Sequence, residues 1–326
     1  MSQKVSLIVT VLNEEKTIKK LLEAIASQTK TPNELIIVDG KSSDKTIEII
    51  HSFINKQQKT NTLFRKNFVL KILPNSNRAQ ARNWAIKNAK HPLIAITDAG
   101  CVPQPNWLAN LVGSYQKNNS PIVGGYFYGL PSTPFEQAVV AYTLEMPDRI
   151  NPDSFIPTTR SVLITKKVWQ ELGKFDEKLT TNEDFPFFFF ARQQGIEISL
   201  AKNALVGWMP RRNLEEFARM IFGFAKGDIE AGIVRPKVQL LFGRYLLVLM
   251  ALLFLIFGKG TPLLQLLPAV LFWLLIYLLW AIWKNKKYVP DGWYWLPIMQ
   301  LLADATVMAG SISGLVNRYR YQPQTQ

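Results

Sequence analysis

The N-terminal part of the chain alternates between apolar runs and segments with helical spacing. The run "VSLIVTV" at residues 5–11 is nearly continuous and β-branched, which is typical of a central parallel strand. Residues 15–28 follow with apolar side chains at helical spacing. Further strands are predicted at residues 35–38, 68–74 and 92–100, separated by helices and short links. This alternation predicts an α/β fold in which helices cover both faces of a parallel sheet.

Polar side chains follow three of the predicted strands. Asn13, Asp39 and Asp98 each lie just past the end of a strand. Ligands bind at the carboxyl ends of the strands in sheets of this kind, so we expect the three residues to share one rim. Asp98 stands in "ITDAG", where Gly100 occupies the position at which a second carboxylate would help to hold a metal.

Two further acids, Glu183 and Asp184, come shortly before Pro186 in "NEDFPFFFFARQQG". Proline is tolerated only near the start of a helix, so both acids are predicted at or before a helix N-terminus. The helix dipole favours ionised carboxylates at that end. The alternative is that both acids serve only as helix caps.

The region between these motifs is less regular. Residues 121–165 are rich in glycine, proline and aromatic side chains. We predict a loop-rich substrate region there, and we expect donor and acceptor specificity to depend on it.

The C-terminal part of the chain contains apolar stretches close to the about 20 residues that span a bilayer. They lie at residues 240–257, 262–283 and 293–316. The net charge of +14 is compatible with nucleic acid, an anionic membrane surface or an anionic substrate. The apolar stretches favour a membrane partner and no nucleic acid. We therefore predict an α/β domain in residues 1–235 and a helical membrane region in residues 236–326.

A helix is also predicted at about residues 213–231, directly before the first apolar stretch. Leu214, Phe217, Ile221 and Phe224 form one apolar stripe on it. This pattern indicates an interfacial helix that lies on the membrane. An ordinary amphipathic core helix is the alternative.

The orientation of the chain follows from its charges. No signal-peptide pattern opens the sequence, because the polar residues 13–16 interrupt any apolar run. We therefore expect a multi-pass protein of the plasma membrane with a cytoplasmic α/β domain. Two spans would return "WKNKK" to the inside, as the positive-inside rule requires. A third would place Arg318 and Arg320 outside, so the last stretch is either a span or a tilted or interfacial segment.

Six motifs occur in the order found in family 2 glycosyltransferases, which the chain resembles over about residues 4–230. They are "VSLIVTVLNEEKTIKKLLEAIASQT", "ELIIVDGKSSDKT", "RAQARNWAI", "ITDAG", "RSVLITKKVWQELGKFDE" and "NEDFPFFFFARQQG". The resemblance implies an inverting enzyme that uses nucleotide sugars. It also implies the GT-A fold, a Rossmann-like and mostly parallel sheet, followed here by a helical membrane region.

The resemblance assigns donor-binding residues by position. Asn13 and Glu14 match residues near the base and ribose, and Asp39 matches the residue that reads the nucleobase edge. A turn or cap role is the alternative for Asp39. Arg78 and Arg82 match a segment that approaches the nucleotide or its diphosphate, with a surface helix arginine as the alternative for Arg82.

Asp98 matches the first aspartate of the family's Asp-x-Asp motif, in which the second is usually the direct metal ligand. The resemblance implies that Asp98 binds the donor and a divalent metal, Mg²⁺ or Mn²⁺, although Gly100 replaces the second carboxylate. Two arrangements stay open. Asp98 holds the cation together with donor phosphates and water, or Asp98 contacts the ribose and Arg78 or another basic residue carries the phosphate charge without a metal.

Asp184 matches the family's general base, with Glu183 orienting it or capping the helix. In a single displacement the acceptor hydroxyl attacks the anomeric carbon opposite the leaving nucleoside diphosphate, and a carboxylate takes its proton. Cations or a metal must stabilise the charge on the leaving group.

The sequence thus predicts transfer of a sugar from a nucleotide-diphosphate-sugar donor to a lipid-linked, polysaccharide or membrane-proximal acceptor in cell-envelope glycan synthesis. A processive polysaccharide synthase is an alternative, although no Gln-x-x-Arg-Trp motif is present. A sugar nucleotidyltransferase would need a glycine-rich loop that "TVLNEEKT" lacks. A catalytically silent nucleotide-binding membrane scaffold is the third alternative, and Gly100 is its only indication.

Overall fold

The computed structural model describes residues 3–59, 61–257 and 263–321. These residues form two compact units. The first, the sheet unit, comprises Met1–Leu130 and Met146–Met209, and the second, the helical unit, comprises Pro131–Glu145 and Pro210–Gln326. The predicted boundary between residues 235 and 236 falls inside the helical unit, and it remains a prediction.

The described strands belong to one eight-stranded sheet in the order β3-β2-β1-β4-β7-β6-β8-β5. The strands are β1 (Val5–Val11), β2 (Glu34–Asp39), β3 (Phe68–Ile72), β4 (Leu93–Asp98), β5 (Cys101–Pro103), β6 (Ile122–Gly129), β7 (Val162–Thr165) and β8 (Ile198–Trp208). The α-helices are α1 (Ile18–Ala26), α2 (Thr46–Gln57), α3 (Thr62–Lys66), α4 (Arg78–Asn88), α5 (Trp107–Asn118), α6 (Pro134–Thr143), α7 (Lys166–Glu171), α8 (Asp184–Gln193), α9 (Leu214–Glu230), α10 (Pro236–Phe257), α11 (Leu263–Asn285) and α12 (Trp295–Tyr321).

The parallel half of the sheet confirms the prediction from the strand–helix alternation. Strands β3, β2, β1 and β4 are neighbours and run parallel. The register pairs Thr10 with Asp98 and Val11 with Asp39. Both aspartates therefore lie on the same rim, at the carboxyl ends of two strands that flank β1.

The other half of the sheet differs from the loop-rich prediction for residues 121–165. Strand β6 and helix α6 occupy most of residues 122–143, and only the stretch after α6 is largely irregular. The sheet is mixed here, because β7 runs antiparallel to β4 and β6. The prediction was wrong for β6 because Gly124 and Gly125 resemble a loop signal.

The two glycines of β6 are required by close packing and not by a turn. A Cβ atom at Gly124 would overlap the ring of Phe155, and a Cβ atom at Gly125 would overlap the hydroxyl of Ser161. Glycine inside a strand often marks such a close approach of another segment. The pair thus allows the irregular segment before β7 to lie directly against β6.

In the helical unit, α10, α11 and α12 agree with the predicted apolar stretches, and all three are long and apolar enough to cross a membrane. Helices α10 and α11 expose large apolar side chains such as Leu247, Phe254, Trp273 and Trp283. Helix α12 is more buried. An added Cβ at Gly310 would lie 2.5 Å from the carbonyl oxygen of Phe222, so α12 packs closely along α9.

The position of α9 bears on its predicted role. It spans Leu214–Glu230, as expected, and it buries Phe217 and Ile221 within the helical unit. Packing of this kind is what the alternative of an amphipathic core helix describes. The interfacial location stays a prediction.

The long helices of this unit share one buried carboxylate, that of Asp304. It accepts hydrogen bonds from Arg244 Nη2 at 2.7 Å, Tyr245 OH at 3.0 Å, Tyr277 OH at 2.5 Å and Gln300 Nε2 at 2.9 Å. Ionisable side chains in membrane segments are usually paired in this way. Asp304 therefore links α10, α11 and α12 to one another.

Candidate active site

A buried arginine, Arg82, lies at the centre of the acidic residues on the rim. Its guanidinium is 2% exposed and donates from Nη2 to Asp98 Oδ1 at 2.9 Å. Nη1 donates to Oε1 of Glu183, whose side chain is equally buried. A surface position for Arg82 is thereby excluded. Glu183 makes no side-chain cap bond to helix α8, so its carboxylate serves Arg82 and not the helix end.

The polar residue after Arg82 explains how α4 is held in place. Asn83 is buried and accepts a hydrogen bond from Trp169 Nε1 at 3.0 Å. Its amide donates to the Phe175 carbonyl at 2.8 Å and to Glu177 Oε1 at 2.9 Å. Buried amides are stable only when they are hydrogen-bonded. These bonds fix α4 against residues 169–177 and so fix the side chain of Arg82.

Asp184 begins helix α8, as the position of Pro186 predicts. Its Oδ2 accepts from the backbone N–H of Thr159 at 3.0 Å and from the Thr159 hydroxyl at 3.2 Å. Its Oδ1 accepts from the Phe185 N–H at 3.0 Å. Thr159 therefore orients this carboxylate, a role that the sequence analysis did not identify.

Arg160, the neighbour of Thr159, was also missed. Its guanidinium carbon lies 5.0 Å from the ring centre of Phe127 and 5.2 Å from that of Trp208. Its carbonyl accepts a hydrogen bond from Thr97 Oγ1 at 2.8 Å. Because Thr97 directly precedes Asp98, this bond brings Arg160 to the same rim. The only available signal was the segment "TTRS" at the start of a family motif.

The charges of this group stabilise one another. Burial by itself would raise the pKa of Asp98, but Arg82, Arg160 and Arg78 outweigh it and hold that pKa below its usual range. Burial would likewise lower the pKa of Arg82, yet Glu183, Asp98 and Asp184 raise it. The Arg82–Asp98 pair is therefore ionised at neutral pH.

The residues predicted near the nucleobase form a second group around the loop after β2. Asp39 is completely buried, and its Oδ1 accepts from the N–H groups of Lys41 and Ser42, both at 2.7 Å. Its Oδ2 accepts from the Ser42 hydroxyl at 2.6 Å. These bonds give Asp39 the turn role that the sequence left open. Its role in reading the nucleobase stays a prediction.

Asn13 and Glu14 support the same loop. Asn13 adopts a positive φ of 56° and accepts from the Ser43 N–H at 2.8 Å. Asparagine tolerates this left-handed backbone better than most residues. The Glu14 N–H donates to Thr46 Oγ1, at the end of this loop, at 2.7 Å, and the Glu14 carboxylate accepts from the hydroxyl of Thr17. Arg78 is exposed at the first position of α4, and its charge acts on Asp98.

The residues around Asp98 fit a metal only with help from a ligand. In residues 3–59, 61–257 and 263–321 there is no group of three or more acidic, histidine or cysteine side chains that could hold a metal ion. Oδ1 of Asp98 is taken by Arg82, and within the same residues Oδ2 has no hydrogen bond. A Cβ at Gly100 would meet nothing within 4 Å, so packing does not require glycine there. A hard cation at Asp98 would take its other ligands from substrate phosphates and water.

The sheet with its acidic rim agrees with the GT-A class of sugar-transferring enzymes that the motifs imply. The protein-family model described as glycosyl transferase family 2 matches residues 6–192 of the sequence. The chain therefore belongs to the family 2 glycosyltransferases, enzymes that use nucleotide-sugar donors, and the predicted family and enzyme class are confirmed.

Two relatives share most of their length with the chain. Glycosyltransferase AglE of Haloferax volcanii is 26% identical over 255 residues, which cover 76% of this chain and 81% of the relative. A dolichyl N-acetyl-α-D-glucosaminyl phosphate 3-β-D-2,3-diacetamido-2,3-dideoxy-β-D-glucuronosyltransferase of Methanococcus voltae is 29% identical over 241 residues, covering 68% and 73%.

Two solved structures share the fold. TarS 1–349 of S. aureus, in complex with UDP-GlcNAc, has a TM-score of 0.52 at 18% identity, and the match covers 99% of this chain and 93% of TarS. The mannosyltransferase PcManGT of Pyrobaculum calidifontis, in complex with GDP-Man and Mn²⁺, has a TM-score of 0.56 at 17% identity, covering 99% and 89%. The predicted GT-A fold is thereby confirmed.

Proposed function

We propose that this family 2 glycosyltransferase is a membrane-attached, inverting enzyme that transfers a sugar from a nucleotide-diphosphate-sugar donor to a lipid-linked or membrane-proximal acceptor. One observation carries the proposal. Thr159 orients the Asp184 carboxylate at the start of α8. The adjacent Glu183 pairs with Arg82, and Arg82 also pairs with Asp98. An oriented base beside an acidic strand end is what a single displacement requires.

Asp184 acts as the general base in this proposal. As the acceptor oxygen attacks the anomeric carbon, its proton passes to the Asp184 carboxylate. The bond from the anomeric carbon to the leaving phosphate oxygen breaks on the opposite face, so the configuration inverts. A carboxylate accepts up to about four hydrogen bonds, so the three bonds to Thr159 and Phe185 leave capacity for the acceptor hydroxyl.

Arg82 and Glu183 are positioning residues. The buried guanidinium separates two carboxylates that would otherwise repel each other, and it fixes Asp98 relative to the start of α8. Such a buried network keeps its geometry only while each member is paired. Arg82 therefore sets the distance between the donor-binding strand end and the general base, and the donor contact predicted for Arg82 stays a prediction.

The donor is proposed to bind along the rim formed by Asn13, Glu14, Asp39, Arg78 and Asp98. The bound ligands of TarS and PcManGT, UDP-GlcNAc and GDP-Man, support a nucleotide-sugar donor. The Mn²⁺ of PcManGT supports a divalent cation, for which Oδ2 of Asp98 is the proposed protein ligand. A bound cation would supply positive charge next to the departing diphosphate.

The acceptor and location are proposed from the helical unit. Where the structure describes their side chains, helices α10 and α11 expose many apolar groups, as lipid-facing helices do. The name of the Methanococcus voltae relative specifies a dolichyl-linked substrate, which supports a lipid-linked acceptor here. We place the sheet unit on the cytoplasmic side of the plasma membrane. Helix α12, which packs along α9, is the least exposed of the three candidate spans.

The full chain in detergent can be tested directly with a thermal-shift panel of nucleoside diphosphates and nucleotide sugars, with and without Mn²⁺. The donor should raise the melting temperature, since a ligand that binds only the folded state stabilises it. Transfer is then measured to a lipid-linked acceptor and to its soluble head group. Equal rates with both acceptors would contradict the lipid-linked assignment, and long products on a gel would favour a processive synthase.

A further inference from the structure

Arg160 carries a charge that the described structure does not neutralise by contact. Its guanidinium carbon lies within about 5 Å of the ring centres of both Phe127 and Trp208, and the side chain is half-buried. Within the residues that the structure describes, no hydrogen bond or ion pair reaches the guanidinium. Aromatic faces attract the cation but satisfy none of its five N–H donors. These donors are therefore available to an anionic ligand.

The backbone around Arg160 is fixed between the two carboxylates of the site. Thr159 bonds to Asp184, and the Arg160 carbonyl accepts from Thr97 beside Asp98. Ser161, the next residue, accepts from Trp107 Nε1 at 2.9 Å. Its hydroxyl occupies the space that a side chain at position 125 would need and that Gly125 leaves free. The contacts of its two neighbours in the chain, Thr159 and Ser161, thus fix the backbone of Arg160 on the rim.

Arg82, the buried arginine of the cluster, cannot provide the same function. Both terminal nitrogens of Arg82 are used by Glu183 and Asp98, and the residue is almost completely buried. Arg160 instead lies against two aromatic rings and keeps its N–H donors unused. Its charge also reaches Asp98, since it contributes to the lowered pKa of that carboxyl.

We propose that Arg160 binds the diphosphate of the nucleotide-sugar donor and stabilises the charge which that group gains during transfer. The proposal rests on the proposed function. When the anomeric carbon–oxygen bond breaks, its electron pair remains on the phosphate oxygen, while the acceptor proton goes to Asp184. A guanidinium matches phosphate geometry and needs no metal. Arg160 would thus provide part of the positive charge that a metal held by a second carboxylate, here replaced by Gly100, would otherwise provide.

The test uses Arg160→Met, which keeps a long apolar side chain near the two rings. Affinity for the stabilising nucleoside diphosphate and for the matching nucleoside is measured by calorimetry on the full chain in detergent, with EDTA and with Mn²⁺. Loss of a charge-assisted contact should weaken diphosphate binding in EDTA about 10- to 100-fold. Nucleoside binding should not change. Arg160→Lys should recover part of the diphosphate affinity.

Arg65→Met is the matched control, because Arg65 is an exposed arginine on α3 of the same unit. It should leave both affinities unchanged. Equal diphosphate affinity in wild type and Arg160→Met would overturn the proposal. So would a change confined to the KM of a phosphate-bearing acceptor, which would assign Arg160 to the acceptor phosphate.

Two further readouts distinguish a folding defect of the variant, a failure of the proposed function and a failure of this inference alone. If Arg160→Met fails to fold, as judged by its thermal transition, Arg160→Gln takes its place with the same expected loss. If wild type binds no nucleoside diphosphate at all, the proposed function fails and this inference fails with it. If wild type binds and the variants bind equally well, only the inference fails.

Discussion

Strands β2 and β4 each end in an aspartate at neighbouring levels of the sheet, yet the two carboxylates have different surroundings. Asp39 is completely buried, and both its oxygens are bonded within the next three residues. The side chain of Asp98 is 33% exposed, and its one hydrogen-bonded oxygen is held by Arg82 of α4. The same place in a fold can thus hold a carboxylate that builds a turn or one that remains open to a ligand.

The carboxylate at the end of β4 thus depends on a partner from another element. The loop after β2 satisfies Asp39 locally, through two of its backbone N–H groups and the Ser42 hydroxyl. The loop after β4 is too short to do this and leads directly into β5. Arg82 replaces the missing local donors, and its charge keeps Asp98 ionised at the rim.

The largest effect on stability is expected for Arg82→Met. Removing one partner of a buried ion pair leaves Glu183 and part of Asp98 unpaired, which typically costs about 3–5 kcal/mol. We expect the free energy of unfolding, measured by urea denaturation in detergent, to fall by this amount and transfer to be lost. Arg65→Met should change stability by less than about 0.5 kcal/mol. If both variants are equally stable, Arg82 does not hold the loop.

A second change compares the two aspartates themselves. Asp39→Asn places an NH₂ group where the carboxylate accepts hydrogen bonds, so we expect stability to fall by about 1–3 kcal/mol. Asp98→Asn should lower stability less and nucleotide-sugar affinity more, because part of that side chain faces solvent. Urea denaturation and calorimetry on both variants check this. The reverse pattern, with Asp39→Asn stable but unable to bind nucleotide, would make Asp39 the ligand-binding member.

The smallest expected effect on stability concerns Gly100→Asp. Because a side chain at Gly100 meets open space, stability should change by less than about 0.5 kcal/mol. The new carboxylate, two residues after Asp98, should tighten Mn²⁺ binding in the absence of donor, since hard cations prefer several carboxylate oxygens. Gly113→Asp, at an exposed glycine of α5 with equally open surroundings, is the control. Unchanged Mn²⁺ affinity in Gly100→Asp would mean that Asp98 does not face a metal position.

Much of the sheet unit could be predicted from sequence because its signals are local. Continuous apolar runs predict β1, β2 and β4, and Pro186 predicts the start of α8. The strand β6 was missed because Gly124 and Gly125 carry no strand signal. Their reason is the close approach of Phe155 and Ser161, which no local pattern reveals.

The candidate site shows the same limit. Asp98 and Asp184 follow from strand ends and a helix start, and the family motifs identify them again. The burial of Arg82 depends on partners from two other elements, Asp98 and Glu183. Arg160 escaped notice because its aromatic neighbours, Phe127 and Trp208, lie on strands far from it in sequence. Contacts that join distant segments leave no periodic pattern to read.

The central claim is that the loop after β4 and the start of α8 form a transfer site with Asp184 as its base. The most direct test is the rate of sugar transfer by wild type and Asp184→Asn at saturating donor, with Glu23→Gln, at an exposed position of α1, as the control. We predict that Asp184→Asn lowers the rate by about 10²- to 10⁴-fold with unchanged donor affinity, whereas Glu23→Gln is fully active. Transfer by Asp184→Asn at the wild-type rate would contradict the assignment.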